Sequence, residues 1–240
     1  MNTRNGRPRA NQLLAALPDE DYERLLPDLE IREMIIREAL YEPEKPIEYL
    51  YFPTAGVASM LAVMDDGTMV EVGTVGKEGM VGVPVFLGMT QTSGMAFWQI
   101  PGEAVVMRSD TLRAEIERNS PLVPVLQRYL QALFVMLAQH TACNRIHPIQ
   151  QRCARWLLMS HDRVDQDVFP LTHEFLGMML GVRRASVTEV MQQLQQAGYI
   201  DYKRGVVTVR DRPGLESATC ECYQIIKNGY DRMLDGLQNR

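Results

Sequence analysis

Residues 171–209 read LTHEFLGMMLGVRRASVTEVMQQLQQAGYIDYKRGVVTV, and the order of signals in this stretch decides the fold. Thr172 follows Pro170-Leu171 and is placed to cap a helix reaching Leu180, because its hydroxyl can accept from a free amide of the first turn. Gly181 can take the left-handed conformation that turns one helix sharply into the next. A second helix is predicted from about Arg183 to Gln196, stopping at Gly198. Val182, Val187, Val190, Met191 and Leu194 share its inner face, which leaves Arg184, Ala185, Thr188, Glu189 and Gln192 for solvent. Two short helices joined by a glycine turn form a helix-turn-helix, whose second helix enters the DNA major groove. Tyr199–Tyr202, a Lys203-Arg204-Gly205 turn and Val206–Val209 then predict a β-hairpin with a basic tip, which reads as a wing. Thr172, Arg183, Lys203, Arg204 and Arg210 are expected at phosphates, with Arg184 and Thr188 at base edges. The plain alternative is an ordinary helix pair with a solvated charged face. Helix, glycine turn, helix and basic hairpin in one run favour DNA.

Working upstream, Gln150 to Ser160 is predicted as a helix with Cys153, Trp156 and Leu157 on one face, followed by the acidic loop residues Asp162, Asp165 and Asp167. Ser120-Pro121 starts a longer helix that reaches Asn144. Leu122, Leu126, Tyr129, Leu130, Leu133, Met136, Leu137 and His140 fall at spacings of three and four along it. That is one apolar stripe on about six turns, roughly 35 Å long. Such a helix can bury its stripe in its own barrel or in a partner copy; the β region before it is too small to cover it all, so Leu126, Tyr129, Leu130, Leu133, Met136, Leu137 and His140 are expected to pair with a second copy.

Between Ile31 and Met107 the texture is of short β runs. Tyr49–Phe52 ends at Pro53, Val57–Met64 follows, and Asp65-Asp66-Gly67 is a strong hairpin signal. Met69–Val72 resumes, then Met95–Ile100 and Ala104–Met107 flank Pro101-Gly102. Such runs predict an antiparallel sandwich or barrel. Ser109-Asp110 offers a cap for a helix over Leu112 to Ile116. At the start, residues 1–11 hold Arg4, Arg7 and Arg9 with Gly6 and Pro8 and nothing apolar to pack, and are expected to form a flexible tail. A short helical pattern from Leu13 to about Leu29 is broken by Pro18 and Pro27.

Composition sets the outer limits. The chain has 240 residues, 46% apolar and 23% charged, so wholesale disorder is excluded. Its net charge of −5 argues against a polyanion binder as a whole, but the balance is uneven. From His147 onward there are 12 basic and 11 acidic residues, against 13 and 19 before it. A local basic face can still bind phosphates, since screening confines attraction to about 10 Å. No apolar stretch is expected to reach the ~20 residues of a membrane span, and MNTRNGRPRANQ has no secretory core. Four cysteines make no disulfide scaffold, so a reducing cytoplasm is expected.

The chain resembles the Crp/Fnr regulators in the order of its motifs. These are Glu48-Tyr49-Leu50-Tyr51-Phe52, Val57-Ala58-Ser59, Glu71-Val72-Gly73 and Gly76-Lys77-Glu78-Gly79-Met80-Val81-Gly82. Leu171-Thr172-His173-Glu174-Phe175-Leu176-Gly177 and Gly181-Val182-Arg183-Arg184-Ala185-Ser186-Val187 complete the set. The resemblance implies an α+β chain: an N-terminal jelly-roll barrel of the cyclic-nucleotide-binding type over 12–118, a dimerisation helix over 119–146, and a winged helix-turn-helix over 147–240. It implies a homodimeric, sequence-specific transcription regulator on pseudo-palindromic DNA, with RNA polymerase as a further partner. By this likeness Arg184, Ala185, Thr188 and Glu189 fall on the base-reading positions.

The departures are informative. Members that bind cyclic AMP carry a Gly-Glu-Leu-Gly-Leu type cassette and a later Arg-Ser or Arg-Thr pair. Here the corresponding residues read Gly82-Val83-Pro84-Val85-Phe86 and Thr92-Ser93-Gly94. A phosphate taken from water into a pocket without a cation is costly, so cyclic AMP is not expected to bind tightly. Any effector remains unidentified, and its pocket is expected around Glu71, Gly82, Val83, Val85, Ser93 and Gly94. A cyclic-nucleotide-responsive regulator with a divergent pocket is the alternative. Relatives that sense oxygen hold an iron–sulfur cluster on cysteines mostly near the N-terminus, and here none precedes Cys143. Cys220 and Cys222 lie on a closing helical pattern from Leu215 to Leu234, where an i, i+2 spacing turns the thiols about 200° apart, so no metal site is predicted. His140 and His147 are weak candidates for a haem ligand. A cupin-like enzyme is disfavoured, because all four histidines (140, 147, 161 and 173) follow the β region and no catalytic constellation stands out. A structural dimer whose wing binds protein is the third reading.

Overall fold

A computed structural model describes residues 8–238. Order begins earlier than the composition suggests. After a 3-10 turn at Pro8–Ala10, Asn11 caps α1 (Gln12–Ala15) and is fully buried. Its Oδ1 accepts from Leu13 and Leu14 at 3.1 and 3.3 Å, and its Nδ2 donates to the carbonyls of Pro53 and Gly79, both at 2.9 Å. Arg9 pairs with Asp19 at 2.6 Å and lies over the Tyr22 ring. One amide side chain thus anchors a segment expected to be loose, with no apolar residue needed. Arg4, Gly6 and Arg7 lie outside the described residues.

After α2 (Asp19–Leu25) come β1 (Leu29–Met34), β2 (Ala39–Tyr41), β3 (Tyr49–Val63), β4 (Met69–Val75), the single-turn α3 (Val83–Phe86) and β5 (Met95–Arg108). They form one antiparallel sheet of order β1-β5-β3-β4, with β2 also on β5. The path is open rather than closed into a barrel, and its β4 edge is covered by helices, which removes the exposed ladder a closed barrel would otherwise remove. Two pairs of short runs are in fact single long strands. β3 runs through Pro53 and β5 through Pro101-Gly102, because register shifts around Ala55 and Val57 absorb the irregularity. There the backbones approach so closely that a Cβ on Gly102 would run into the Ala55 carbonyl. The Asp65-Asp66-Gly67 turn joins β3 to β4 as expected, with the Asp66 carboxylate accepting from the Thr68 amide at 2.8 Å.

Both faces of the sheet are buried. Alternate residues point opposite ways, so Trp98 joins one cluster with Met34, Leu40, Ala58 and Val75, while Phe97 joins the main core with Phe52, Leu61 and Val105. α4 (Ser109–Glu117) follows, with the Ser109 hydroxyl bonded to the Ile47 carbonyl instead of capping the helix.

α5 (Leu122–Ile146) accommodates Pro124 in its first turn, where no intrahelical donor is required. By length and mean hydropathy alone it would pass for a membrane span, which the sequence reading does not anticipate. Its apolar stripe is turned inward on its own chain. Leu126, Tyr129, Leu133, Met136 and His140 are all buried, so they are not available as a pairing face. Tyr129 donates to the Met80 carbonyl at 3.0 Å, and His140 Nδ1 lies 3.0 Å from the Val72 carbonyl. The cause is β4 and the loop after it, where Val72, Gly73, Gly79 and Met80 meet His140, Met136 and Tyr129, while the last helix of the chain packs along α5 and adds Tyr230 against Met136. Leu130 and Leu137 are only half-buried and flank Phe134, which is 62% exposed.

The remaining elements are α6 (Ile149–His161), β6 (Val168–Pro170), α7 (His173–Leu180), α8 (Arg184–Gln196), β7 (Ile200–Lys203), β8 (Val206–Val209), α9 (Arg212–Ser217) and α10 (Cys222–Gln238). The single helix expected from Leu215 to Leu234 is broken between α9 and α10. Cys220 lies in that break and Cys222 opens the helix after it, so their thiols converge instead of pointing about 200° apart as expected.

Candidate nucleic-acid interface

The helix-turn-helix is built from local signals. Thr172 caps α7, its hydroxyl accepting from the Phe175 amide at 3.2 Å. Gly181 sits at φ +64°, and the Val182 amide reaches back to the Gly177 carbonyl at 2.9 Å. α8 buries Val187, Val190, Met191 and Leu194 against α6 and α7. Arg183, Arg184, Ala185, Glu189 and Gln192 are exposed on its outer side. Among the described residues no side chain caps α8, so its first amides and its dipole are left beside two exposed arginines. Such an end is suited to a phosphate.

Thr188 is placed differently from the other outer residues. It is half-buried, its hydroxyl donates to the Arg184 carbonyl at 3.1 Å, and His173 Nδ1 lies 2.9 Å away. The His173 ring also stacks on Tyr202, with centroids 4.3 Å apart. Burial, reinforced by the charge of Arg184, lowers the His173 pKa and keeps the ring neutral near pH 7.

The wing is the β7–β8 hairpin, extended by β6 in the order β6-β8-β7. Arg204 and Gly205 both have positive φ, +52° and +78°, the combination a two-residue hairpin turn requires. This sets Lys203 and Arg204 at an exposed tip. Arg210, also exposed, lies 3.4 Å from Asp201 in a surface pair. The Tyr202 amide donates to the Gln195 side chain at 2.9 Å and fastens the wing to α8.

The helix-turn-helix does not stand apart from the sheet. α7 packs on β4, and Phe175 meets Phe97 and Trp156 edge-on at 5.8 and 6.5 Å. Beneath them the Glu71 carboxylate accepts from the Trp156 indole at 2.9 Å and from Ser59 at 2.8 Å. Burial pushes the Glu71 pKa up to about 7. Arg163 and Glu78 form a second, buried link at 2.7 Å.

This arrangement corrects the expected effector pocket. Glu71 is committed to Trp156 and Ser59, Gly82 starts α3 at φ +112°, and Val83 and Val85 lie in the core. Ser93 is exposed and Gly94 half-buried in the loop before β5. The contacts of Trp156 with Glu71 and of His173 with Tyr202 have no local signal in the sequence.

Comparison with known proteins agrees with this geometry. Residues 151–218 match the Crp-like helix-turn-helix domain. Among curated proteins, none matches the chain in sequence. FixK2 from Bradyrhizobium japonicum is similar in structure, with a TM-score of 0.68 at 16% identity over 80% of this chain and 98% of that one. A CRP-family transcriptional regulator from Thermus thermophilus gives 0.63 at 20% identity over 78% and 95%. The c-di-GMP-responsive global regulator CLP of Xanthomonas campestris gives 0.60 at 18% identity over 80% and 99%. Residues 151–218 therefore match the Crp-like helix-turn-helix domain, and about four fifths of the chain shares the fold of FixK2 and of the Thermus thermophilus CRP-family regulator.

Proposed function

We propose that the chain is a sequence-specific, DNA-binding transcription regulator that acts as a homodimer and performs no catalysis. The observation that carries this reading is the uncapped, exposed start of α8, with Arg183 and Arg184 beside the Lys203-Arg204 wing tip. Arg184, Ala185 and Glu189 read base edges, while Thr172, Arg183, Lys203, Arg204 and Arg210 hold phosphates. Thr188 reaches its base only if its hydroxyl exchanges the Arg184 carbonyl for the groove. The units are a sheet unit over 12–118, a pairing helix over 119–146 and a DNA-binding unit over 147–240.

Pairing uses the face of α5 that its own chain leaves open. Leu130, Phe134 and Leu137, four and three residues apart, form the apolar seam of a two-stranded coil. Two α8 helices then face successive major grooves about 34 Å apart. RNA polymerase is the expected partner of the DNA-bound dimer, and the cytoplasm its place of action. The sheet unit takes no cyclic AMP tightly, because the six residues expected around a pocket include no cation and Glu71 is already bonded to Trp156.

In vitro selection from random duplexes, followed by affinity measurement across salt concentrations, tests the reading. A pseudo-palindrome with half-sites about one helical turn apart is expected. Equal affinity for selected and random DNA at every salt concentration would sink it.

A further inference from the structure

Four metal-type ligands from distant parts of the chain meet where α5 ends and α10 begins. Cys143 lies on the last turns of α5, His147 directly follows that helix, Cys220 is in the α9–α10 turn and Cys222 opens α10. Their ligand atoms all lie within 4.8 Å of one another. Cys143 Sγ and Cys220 Sγ are 3.6 Å apart, and Cys222 Sγ is 3.4 Å from His147 Nδ1. A tetrahedral ion with bonds of ~2.3 Å to sulfur and ~2.0 Å to nitrogen separates its ligands by about 3.8 Å (S–S) and 3.5 Å (S–N). The four atoms already outline a site for one such ion. A cubane iron–sulfur cluster, with its thiolates on four separate irons, spreads them wider.

The surroundings suit a metal as well. All four cysteines of the chain are free thiols. His147 presents Nδ1 to the cluster while its Nε2 lies 3.4 Å from the Glu221 carboxylate, the outer contact that orients a ligating imidazole. Gln139 donates to Cys222 Sγ at 3.1 Å. Three thiolates around a divalent ion leave one net negative charge. Arg155, one helix further on in α6, is buried, and its Nε has no partner among the described residues.

We propose that Cys143, His147, Cys220 and Cys222 form a mononuclear Cys3His site whose resident ion is Zn²⁺. Thiolate and imidazole select zinc over magnesium or calcium. With four protein ligands the coordination sphere is closed, so the ion is structural and not catalytic. It ties the end of α5 to the α9–α10 turn, across the elbow where α5 passes into α6. The inference stands independently of what the helix-turn-helix binds.

The test uses the full-length chain, made in zinc-containing medium and purified reduced without a histidine tag. Elemental analysis is expected to give about one zinc per chain, as a closed four-ligand site requires. Zinc-edge absorption spectroscopy is expected to show three sulfurs and one nitrogen, and the Co²⁺-exchanged protein an intense thiolate-to-cobalt band. Cys220→Ser and His147→Ala are each expected to lower the retained metal. If those variants do not fold, the spectra of the unaltered chain decide. Folded, fully reduced protein holding less than about a tenth of an equivalent and giving no cobalt band would overturn the proposal. So would zinc held by oxygen ligands, iron with acid-labile sulfide, or a Cys143–Cys220 disulfide in freshly isolated protein.

Discussion

The indole nitrogen of Trp156 on α6 donates to the carboxylate of Glu71 on β4 at 2.9 Å, and this buried bond joins the sheet to the helices that carry the DNA-facing surface. It replaces the pocket role expected of Glu71 with a mechanical one.

The pH dependence of stability follows from the burial of the Glu71 carboxyl, which the bonds from Trp156 and Ser59 offset only in part. Burial raises Glu71 from 4.5 to about 7. Between these values the unfolded chain has lost the proton and the folded chain keeps it, so the folded state binds more protons. Stability from this group is therefore full below the unfolded value, falls as pH rises toward 7, and stays low above it. The loss is on the order of 3 kcal/mol. Glu71→Gln keeps an acceptor for Trp156 and is expected to abolish this slope and to stabilise the chain at pH 7.5. Urea denaturation at several pH values measures it, and an unchanged slope would assign the effect to another group.

Arg184 and Arg204 are expected to separate by role. Arg184→Ala should relax preference at one base pair in each half-site and cost roughly 1–3 kcal/mol per contact. Arg204→Ala should weaken binding to all sequences alike and reduce the salt slope by about one. Affinities for specific and random duplexes, measured across salt, distinguish them. Equal losses on both DNAs for Arg184→Ala would make it a phosphate contact.

Two residues on opposite sides of α5 should fail in different ways. Phe134 is 62% exposed, whereas Met136 is fully buried against its own chain. Phe134→Glu is expected to shift the chain from dimer to monomer with little change in folding stability. Met136→Ala should instead cost about 2–5 kcal/mol of stability. Sedimentation and denaturation read the two effects; an unchanged association state in Phe134→Glu would move the pairing surface elsewhere.

Gly181 tests the turn. A Cβ there meets nothing closer than Val70 at 3.8 Å, so the penalty of substitution is conformational rather than steric. Gly181→Ala is expected to cost roughly 1–2 kcal/mol, from forcing an ordinary residue to positive φ. Gly181→Asn should cost less. Thermal unfolding compares the two, and equal costs would contradict the assignment.

What is legible in the sequence is local. Thr172 as a cap, Gly181 as a turn and the basic Lys203-Arg204-Gly205 tip each act within a few residues, and each is found where expected. Pro53 and Pro101 mislead because bulges let the strands continue past them. The stripe on α5 is visible, but not what covers it, since Met80 and Val72 meet Tyr129 and His140 from 49 and 68 residues away and no periodicity reports such contacts. The break before Cys222 is hidden because Ala218–Glu221 contains neither glycine nor proline. Glu71 and Trp156, 85 residues apart, can be joined only by the tertiary fold.

His173 lies between the Tyr202 ring of the wing and the Thr188 hydroxyl of the recognition helix, while Gln195 holds the Tyr202 backbone. Wing and helix are therefore one rigid tool. A displacement of the recognition helix therefore carries the basic tip of the hairpin along with it.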